Sequence, residues 1–302
     1  MKLLLTGYSG FVGSNLYNYF KDDYEISLLG RKIDPSLKNQ FDINKPNDFE
    51  AAFDDVDIVI HSAGISKSNM RTKKDIKTDF LNSNINLTIE IAKKAKEKSI
   101  KKFIYISSLK VNGEKTTNQP FFHDDPVNPQ DEYAISKAVA EKNIQEICKE
   151  SIMSFTIIRP PIIYGREVES NFKKLLNLVD CNLPVPFAYT NNKRSFIYIK
   201  NLTSFINECI TNEAANNKIF LVSDNCDIST YELINLIAKL KNKNILQFYF
   251  PKILIKLTLM VLNKSSIYDS LYSSFNLDLS HTIRTLKWSP PYTLKDGIEE
   301  CI

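Results

Sequence analysis

The chain has 302 residues, 43% of them hydrophobic and 25% charged, an ordinary globular composition long enough for one large α/β unit or two modest domains. Its net charge of +4 is small and its lysines are scattered, which argues against a nucleic-acid partner. Five widely spaced cysteines and three histidines form no C-x-x-C pair, so no metal site is expected and a reducing cytoplasm fits best.

Leu3, Leu4 and Leu5 form an apolar run too short for a helix and read as a buried strand. Gly7, Gly10 and Gly13 follow, three of only eight glycines in the chain, and Ser14 to Phe20 read as a helix. Strand, glycine turn and helix N-terminus together make a phosphate cradle, because the turn brings backbone amides close to a pyrophosphate. A strand beginning at residue 2 predicts no signal peptide. Glu25 to Leu29 is a second strand, ending in Gly30-Arg31-Lys32. An acid at this point bonds the free ribose hydroxyl of NAD, whereas a cation accommodates the 2′-phosphate of NADP. With Arg31 and Lys32 there, NADP is favoured over NAD. Asp42, in Phe41-Asp42-Ile43, either approaches the adenine or belongs to a helix cap at Asn44.

Val56 to His61 is a third strand, and the small residues Ser62-Ala63-Gly64 after it leave room for a ligand. A helix is expected from about Asp79 to Lys98, then a strand over Ile100 to Ser108 that ends in hydroxyls. This alternation predicts a parallel sheet with right-handed crossovers. Tyr133 to Cys148 reads as a helix, with Tyr133 and Lys137 one turn apart on one side. An ammonium beside a phenol is expected to lower its pKa and suit it to proton transfer with an alcohol or ketone.

These pieces resemble the extended short-chain dehydrogenase/reductases of the NAD-dependent epimerase/dehydratase family. The matching stretches are TGYSGFVG (6–13), HSAG (61–64), ISSLKVNG (106–113), YAISK (133–137), IRPPIIYG (158–165), KRSFIYIKNL (193–202) and TLKWSPP (285–291). The resemblance implies an α/β Rossmann fold over 1–165 and a smaller C-terminal α/β nucleotide-sugar domain over 166–302, with roughly 193–222 returning to the Rossmann part. It implies Tyr133 as general acid/base, Lys137 as holder of the nicotinamide ribose and tuner of Tyr133, and Ser108 as a partner of the sugar oxygen. Asn84 would lie near the active-site helices. Cofactor contacts are implied at Gly7, Gly10, Phe11, Val12 and Gly13, at Arg31, Asp42 and Ile43, and at Ala63, Gly64, Tyr133, Lys137 and Pro160. Arg194 would hold the diphosphate of the nucleotide sugar.

Departures from the pattern narrow the reaction. Sugar 4,6-dehydratases carry an Asp-Glu pair after the active-site hydroxyl; here Leu109 and Lys110 stand there, so elimination of water is disfavoured. Ser195 follows Arg194 where many relatives have Asp. ISSLKVNGE, LPVPF (183–187), RSFIYIKNL and FLVSDNCDIST (220–230) resemble a bacterial subgroup of surface-polysaccharide (O-antigen) precursor synthesis, labelled either UDP-glucose 4-epimerase or UDP-4-keto-6-deoxy-HexNAc reductase. A 4-keto reductase is the favoured reading. A UDP-glucose or UDP-N-acetylglucosamine 4-epimerase with retained NAD is the alternative, and a non-catalytic binding module on the same fold is the least favoured. A homodimer is implied by the family.

In the C-terminal half, Asn171 either binds a phosphate or caps a helix running to Val179. Val185 and Phe187 either pack on a nucleobase or belong to the core. Ser229 and Glu232 form a capping box. Ile245 to Leu262 is the most apolar stretch, interrupted by Pro251, Lys252 and Lys256. These residues argue against a transmembrane helix. A buried helix from Pro251 is expected, with a membrane-surface or dimer face as the alternative.

Overall fold

The computed structural model describes residues 1–66, 76–167 and 171–302, with Ile76 and Asn171 described by backbone alone. Seven parallel strands form the central sheet: β1 (Lys2–Thr6), β2 (Glu25–Gly30), β3 (Gln40–Asp42), β4 (Ile58–His61), β5 (Lys102–Ile106), β6 (Ser154–Arg159) and, after two strands outside it, β9 (Lys218–Leu221). The order β3-β2-β1-β4-β5-β6-β9 reverses direction at β1. In register, Leu4 pairs with Ser27 on one side and Val59 on the other. Leu3 and Leu5 join one apolar layer and Leu4 the opposite one, the period-two alternation of a strand covered on both faces. A small second sheet pairs β7 (Ile162–Tyr164) with β8 (Phe196–Tyr198) in parallel.

The helix after the glycine turn, α1 (Phe11–Phe20), starts three residues earlier than expected and buries Gly13, Leu16 and Phe20. Next, α2 (Pro46–Ala51) is capped at Lys45 with Pro46 as its first residue, so Asn44 is not its cap. The predicted long helix is compound: α3 (Ile76–Phe80), a π-helical turn (Leu81–Asn86) and α4 (Leu87–Glu97). The chemistry-bearing helix, α5 (Glu132–Lys149), is capped by Asp131, whose Oδ1 accepts from Ala134 N at 2.8 Å.

Beyond β7, α6 (Asn171–Asp180) begins at the expected residue, and α7 (Ile199–Thr211) packs on α1. The expected capping box opens α8 (Thr230–Leu240). The chain ends in α9 (Lys252–Val261), α10 (Ser265–Tyr272), α11 (Ser280–Leu286) and α12 (Leu294–Glu299). The expectation of a buried helix from Pro251 is corrected: α9 forms there but has no buried residue. Helix α10 packs against it and the partly buried Ile255 reaches the core, while Ile253, Leu254, Leu257, Met260 and Val261 stay exposed. No described helix is long and apolar enough to cross a membrane. Nor do the described residues hold a cluster of three or more His, Cys, Asp or Glu side chains arranged for a metal ion.

Candidate active site

In an open parallel sheet, ligands bind outside the carboxyl ends of the strands where the order reverses, here between β1 and β4. The glycine turn leaves β1 at this point. Gly7 has φ of +74°, and a Cβ on it would lie 2.6 Å from Ala63 N, so turn and β4 end touch through backbone. A Cβ on Gly13 would sit 2.2 Å from Gly7 O, which fixes glycine there for helix-on-turn packing. Gly10 differs, since its Cβ would meet only Gly7 O at 3.4 Å. The protein's own packing leaves that space open, and a side chain would fill it. Gly10 is the N-cap of α1 without a side-chain cap, and the first turn carries no acid. Phe11 and Val12 lean their side chains on the core, which leaves the turn's backbone to a ligand. These features fit a dinucleotide pyrophosphate.

At the end of β2, Tyr8 reaches across from the glycine turn. Its hydroxyl donates to Lys32 O and lies 2.8 Å from Gln40 Oε1, and its ring closes the space above Gly30. Arg31 and Lys32 are exposed beside it, and none of Gly30, Arg31 and Lys32 carries a carboxylate, although Asp42 of β3 pairs with Gly30. Asp42 Oδ1 accepts from Asn44 N and Nδ2 at 2.9 and 3.0 Å, and Ile43 N donates to Gly30 O at 2.9 Å. Asp42 thus closes a local turn at the cofactor-side edge.

Beyond β4, His61 is buried between two hydroxyls. Thr88 Oγ1 donates to Asn84 O at 2.8 Å, which leaves it to accept from His61 Nε2, while Thr6 Oγ1 donates to Nδ1 at 2.6 Å. Burial holds this imidazole neutral, with a pKa pushed down to about 3. Asn84, on the π-helical turn, accepts from Ile65 N at 2.8 Å and donates to Ser136 Oγ at 3.0 Å. That turn rotates Asn84 inward to tie the HSAG loop to α5. Gly64 lies against this tie: a Cβ there would be 3.1 Å from Asn84 Oδ1 and 3.4 Å from Lys137 Nζ.

Tyr133 and Lys137 come together with Ser108. The Tyr133 hydroxyl lies beside the Ser108 side chain, and burial pushes its pKa up to about 12. The expected lowering by Lys137 is therefore corrected, because desolvation of the phenolate dominates and the opposing influence comes from Ser108, not from the lysine. The buried Lys137 donates from Nζ to Ile106 O at 2.9 Å and lies 4.7 Å over the Tyr105 ring. Burial lowers its pKa to about 8, opposed by the nearby Glu141 carboxylate. Leu109 N donates to Pro160 O at 2.8 Å, which sets Pro160 beside the Ser108 turn. Leu109 is buried, and Lys110 Nζ bonds Asp131 Oδ2 at 2.9 Å, so a salt bridge to the cap of α5 stands where a dehydratase carries its acid.

A support missed in the sequence lies directly beneath. Arg159 grips Glu141 through Nε at 3.0 Å and Nη2 at 2.6 Å, and reaches Asn112 Oδ1 at 3.0 Å. Ser107 Oγ donates to the same carboxylate. Tyr133, Lys137 and Glu141 stack one turn apart on α5, and that spacing was the available signal.

The remaining candidates occupy the C-terminal half. Arg194 is buried, stacks 5.7 Å over Phe275, and donates from Nη1 to Ser273 O at 3.0 Å and Asp269 O at 3.3 Å. Burial lowers its pKa to about 10. Among the described residues no carboxylate pairs with it, which leaves charge for an anion. Ser195 Oγ donates to Asp227 Oδ1 at 2.6 Å and receives Leu277 N at 3.1 Å, so it acts as a brace. Val185 and Phe187 are core residues, with Phe187 5.5 Å from the Tyr272 ring. The Asn171 side chain lies outside the described residues.

A parallel sheet reversing at a glycine turn, with Ser, Tyr and Lys converging at its carboxyl edge, defines a dinucleotide-dependent α/β enzyme fold. Residues 3–223 match the model of the NAD dependent epimerase/dehydratase family, and the chain belongs to that family. A UDP-glucose 4-epimerase of Vibrio cholerae is 39% identical over 99% of this chain and 93% of its own length. A dTDP-4-dehydro-6-deoxyglucose reductase of Escherichia coli is 26% identical over 99% of this chain and 96% of its own. Among solved structures, the UDP-glucuronic acid 4-epimerase from Bacillus cereus in complex with NAD superposes with a TM-score of 0.78 at 20% identity, covering 100% of this chain and 97% of that one.

Proposed function

We propose that the protein transfers hydride at C4 of a UDP-hexose, reducing a 4-keto sugar in the synthesis of surface-polysaccharide (O-antigen) precursors. The observation that carries the C4 chemistry is the Tyr133 hydroxyl beside Ser108, one helical turn from the buried Lys137 at the ligand edge. A bound nicotinamide dinucleotide would supply the hydride. It would rest on Gly7, Gly10 and Gly13 at the α1 N-terminus, with Arg31, Asp42 and Ile43 toward its adenosine and Ala63, Gly64, Pro160 and Lys137 toward its nicotinamide half. Ser108 would hold the sugar oxygen. Tyr133 Oη, protonated at neutral pH with its pKa near 12, is in the state that gives a proton to a ketone. Arg194 would hold the diphosphate and Asn171 would lie at the nucleotide end, with Val185 and Phe187 supporting it from the core. The absence of a carboxylate pair at Leu109 and Lys110 supports excluding dehydration.

The direction of reaction rests on the end of β2. Two exposed cations with no ribose-binding acid favour NADP, and an exchanging NADP suits a reductase. We further propose a cytoplasmic homodimer, with a cofactor-binding part at 1–165 and a nucleotide-sugar part at 166–302 to which 193–222 does not belong, since β9 adds to the main sheet. A second reading, a UDP-hexose 4-epimerase retaining NAD, is favoured by the V. cholerae relative. Denaturing the purified protein and assaying the supernatant separates the two. Empty protein that binds NADPH far more tightly than NADH supports the reductase. Near-stoichiometric NAD released only on denaturation, with interconversion of UDP-glucose and UDP-galactose, supports the epimerase and removes the role given to Arg31.

A further inference from the structure

From Leu233 to Tyr268 the chain has six lysines and no aspartate or glutamate. Lys241 and Lys243 are taken up by Asp180 at 2.7 and 3.0 Å. Lys252, Lys256 and Lys264 enter no ion pair among the described residues, so they leave this face with a positive field. The same face is apolar. On α9, Ile253, Leu254, Leu257, Met260 and Val261 are exposed, Val261 to 83%. At 3.6 residues per turn they span an arc of about 120°, with Lys252 and Lys256 following one edge. Ile255 points the other way and packs on the core, which fixes the rotation of the helix.

The loop before α9 extends the patch. Leu246 O accepts from Val185 N at 3.0 Å, and Phe248 pairs its backbone with Val185 and Ala188. This pinning to the core leaves Phe248, Tyr249 and Phe250 exposed. An apolar stripe edged by lysines and led by aromatics is the pattern of a helix lying in a membrane interface. Ten residues make about 15 Å of helix, half of a bilayer core, so α9 lies along the surface and does not cross it. A second copy is a poor occupant. A two-fold contact would bring the unpaired Lys252, Lys256 and Lys264 against their own copies.

We propose that α9 and the aromatic loop before it seat the protein on an anionic bilayer surface. The stripe enters the acyl boundary, and Lys252, Lys256 and Lys264 meet acidic headgroups. The proposal does not depend on the direction of the sugar chemistry.

The test is co-sedimentation of the full-length protein with vesicles of phosphatidylcholine mixed with phosphatidylglycerol, and with phosphatidylcholine alone. Pelleting is expected with the anionic vesicles and is weakened by salt. Both Lys252→Glu/Lys256→Glu and Ile253→Asp/Leu257→Asp should lower the partition coefficient about tenfold or more. Unchanged cofactor binding would show that each variant is folded. Three results overturn the proposal: wild-type protein that stays in solution with both vesicles, charge-reversed protein that pellets as well as wild type, or a wild-type dimer that Leu257→Asp splits into monomers.

Discussion

Helices α5 and α9 invert the usual expectation of what a fold hides. Along α5 the buried residues include Ser136, Lys137 and Glu141, whereas α9 is mostly Ile, Leu, Met and Val and buries nothing. What each helix rests against explains the inversion. One lies along the sheet at the ends of β5 and β6, where Ile106 O and Arg159 await its polar groups. The other follows a proline at the rim, packs on α10 and touches the core through Ile255. Buried polar groups persist where each has a partner, and exposed apolar ones mark a surface with a use.

The largest expected effect comes from breaking the buried end of α5. Glu141→Gln keeps the shape but leaves the Arg159 guanidinium buried without a charge to balance it. A loss of about 3–5 kcal/mol is expected in urea unfolding. A loss under about 1 kcal/mol would mean that the pair is not desolvated as described.

Tyr133→Phe tests the other end. It removes only the hydroxyl beside Ser108, so turnover should fall about 10²–10⁴-fold while cofactor affinity holds. Unchanged turnover would sink the assignment of the site.

Lys137→Met follows in size and has a sign that a purely structural lysine would not give. The folded-state pKa near 8 lies below the ordinary 10.5, so the unfolded chain holds this proton more tightly. Charging Lys137 therefore costs stability at neutral pH, and the cost disappears as pH rises from about 8 to 10.5. The pKa difference corresponds to about 3 kcal/mol at most, and orphaning Ile106 O takes back about 1–2 kcal/mol. The variant should be inactive yet more stable than wild type by about 1–2 kcal/mol at pH 7, with the gap closing toward pH 10. A variant less stable at pH 7 would show that the ammonium stabilises the fold.

The contrast also separates what the sequence reveals from what it conceals. The glycine turn, the strand edges and the Tyr133–Lys137 pair are legible because each is a local pattern whose geometry follows from the backbone. Glu141 and Arg159 stand 18 residues apart and Ser107 lies 34 from Glu141, so their meeting depends on how β5, α5 and β6 pack. The π-helical turn that carries Asn84 leaves no mark in the apolar spacing. For Tyr133, nearness to a lysine is legible in the sequence and depth of burial, which sets its pKa, is not. The same gap misplaced α9: hydrophobicity sets the wish to be buried, and only the neighbours decide it.

The smallest effect is the sharpest test of that last point. Leu257→Ser removes a leucine from the middle of an apolar helix, a change that in a packed core leaves a cavity and an unpaired hydroxyl and costs several kcal/mol. Leu257 is instead 51% exposed, so in aqueous buffer the change should move stability by no more than about 0.5 kcal/mol. Thermal unfolding of the two proteins side by side measures this directly. A loss of about 2 kcal/mol or more would mean that α9 is covered in solution, by another part of the chain or by a second copy, and the face would then belong to the packing that α5 exemplifies.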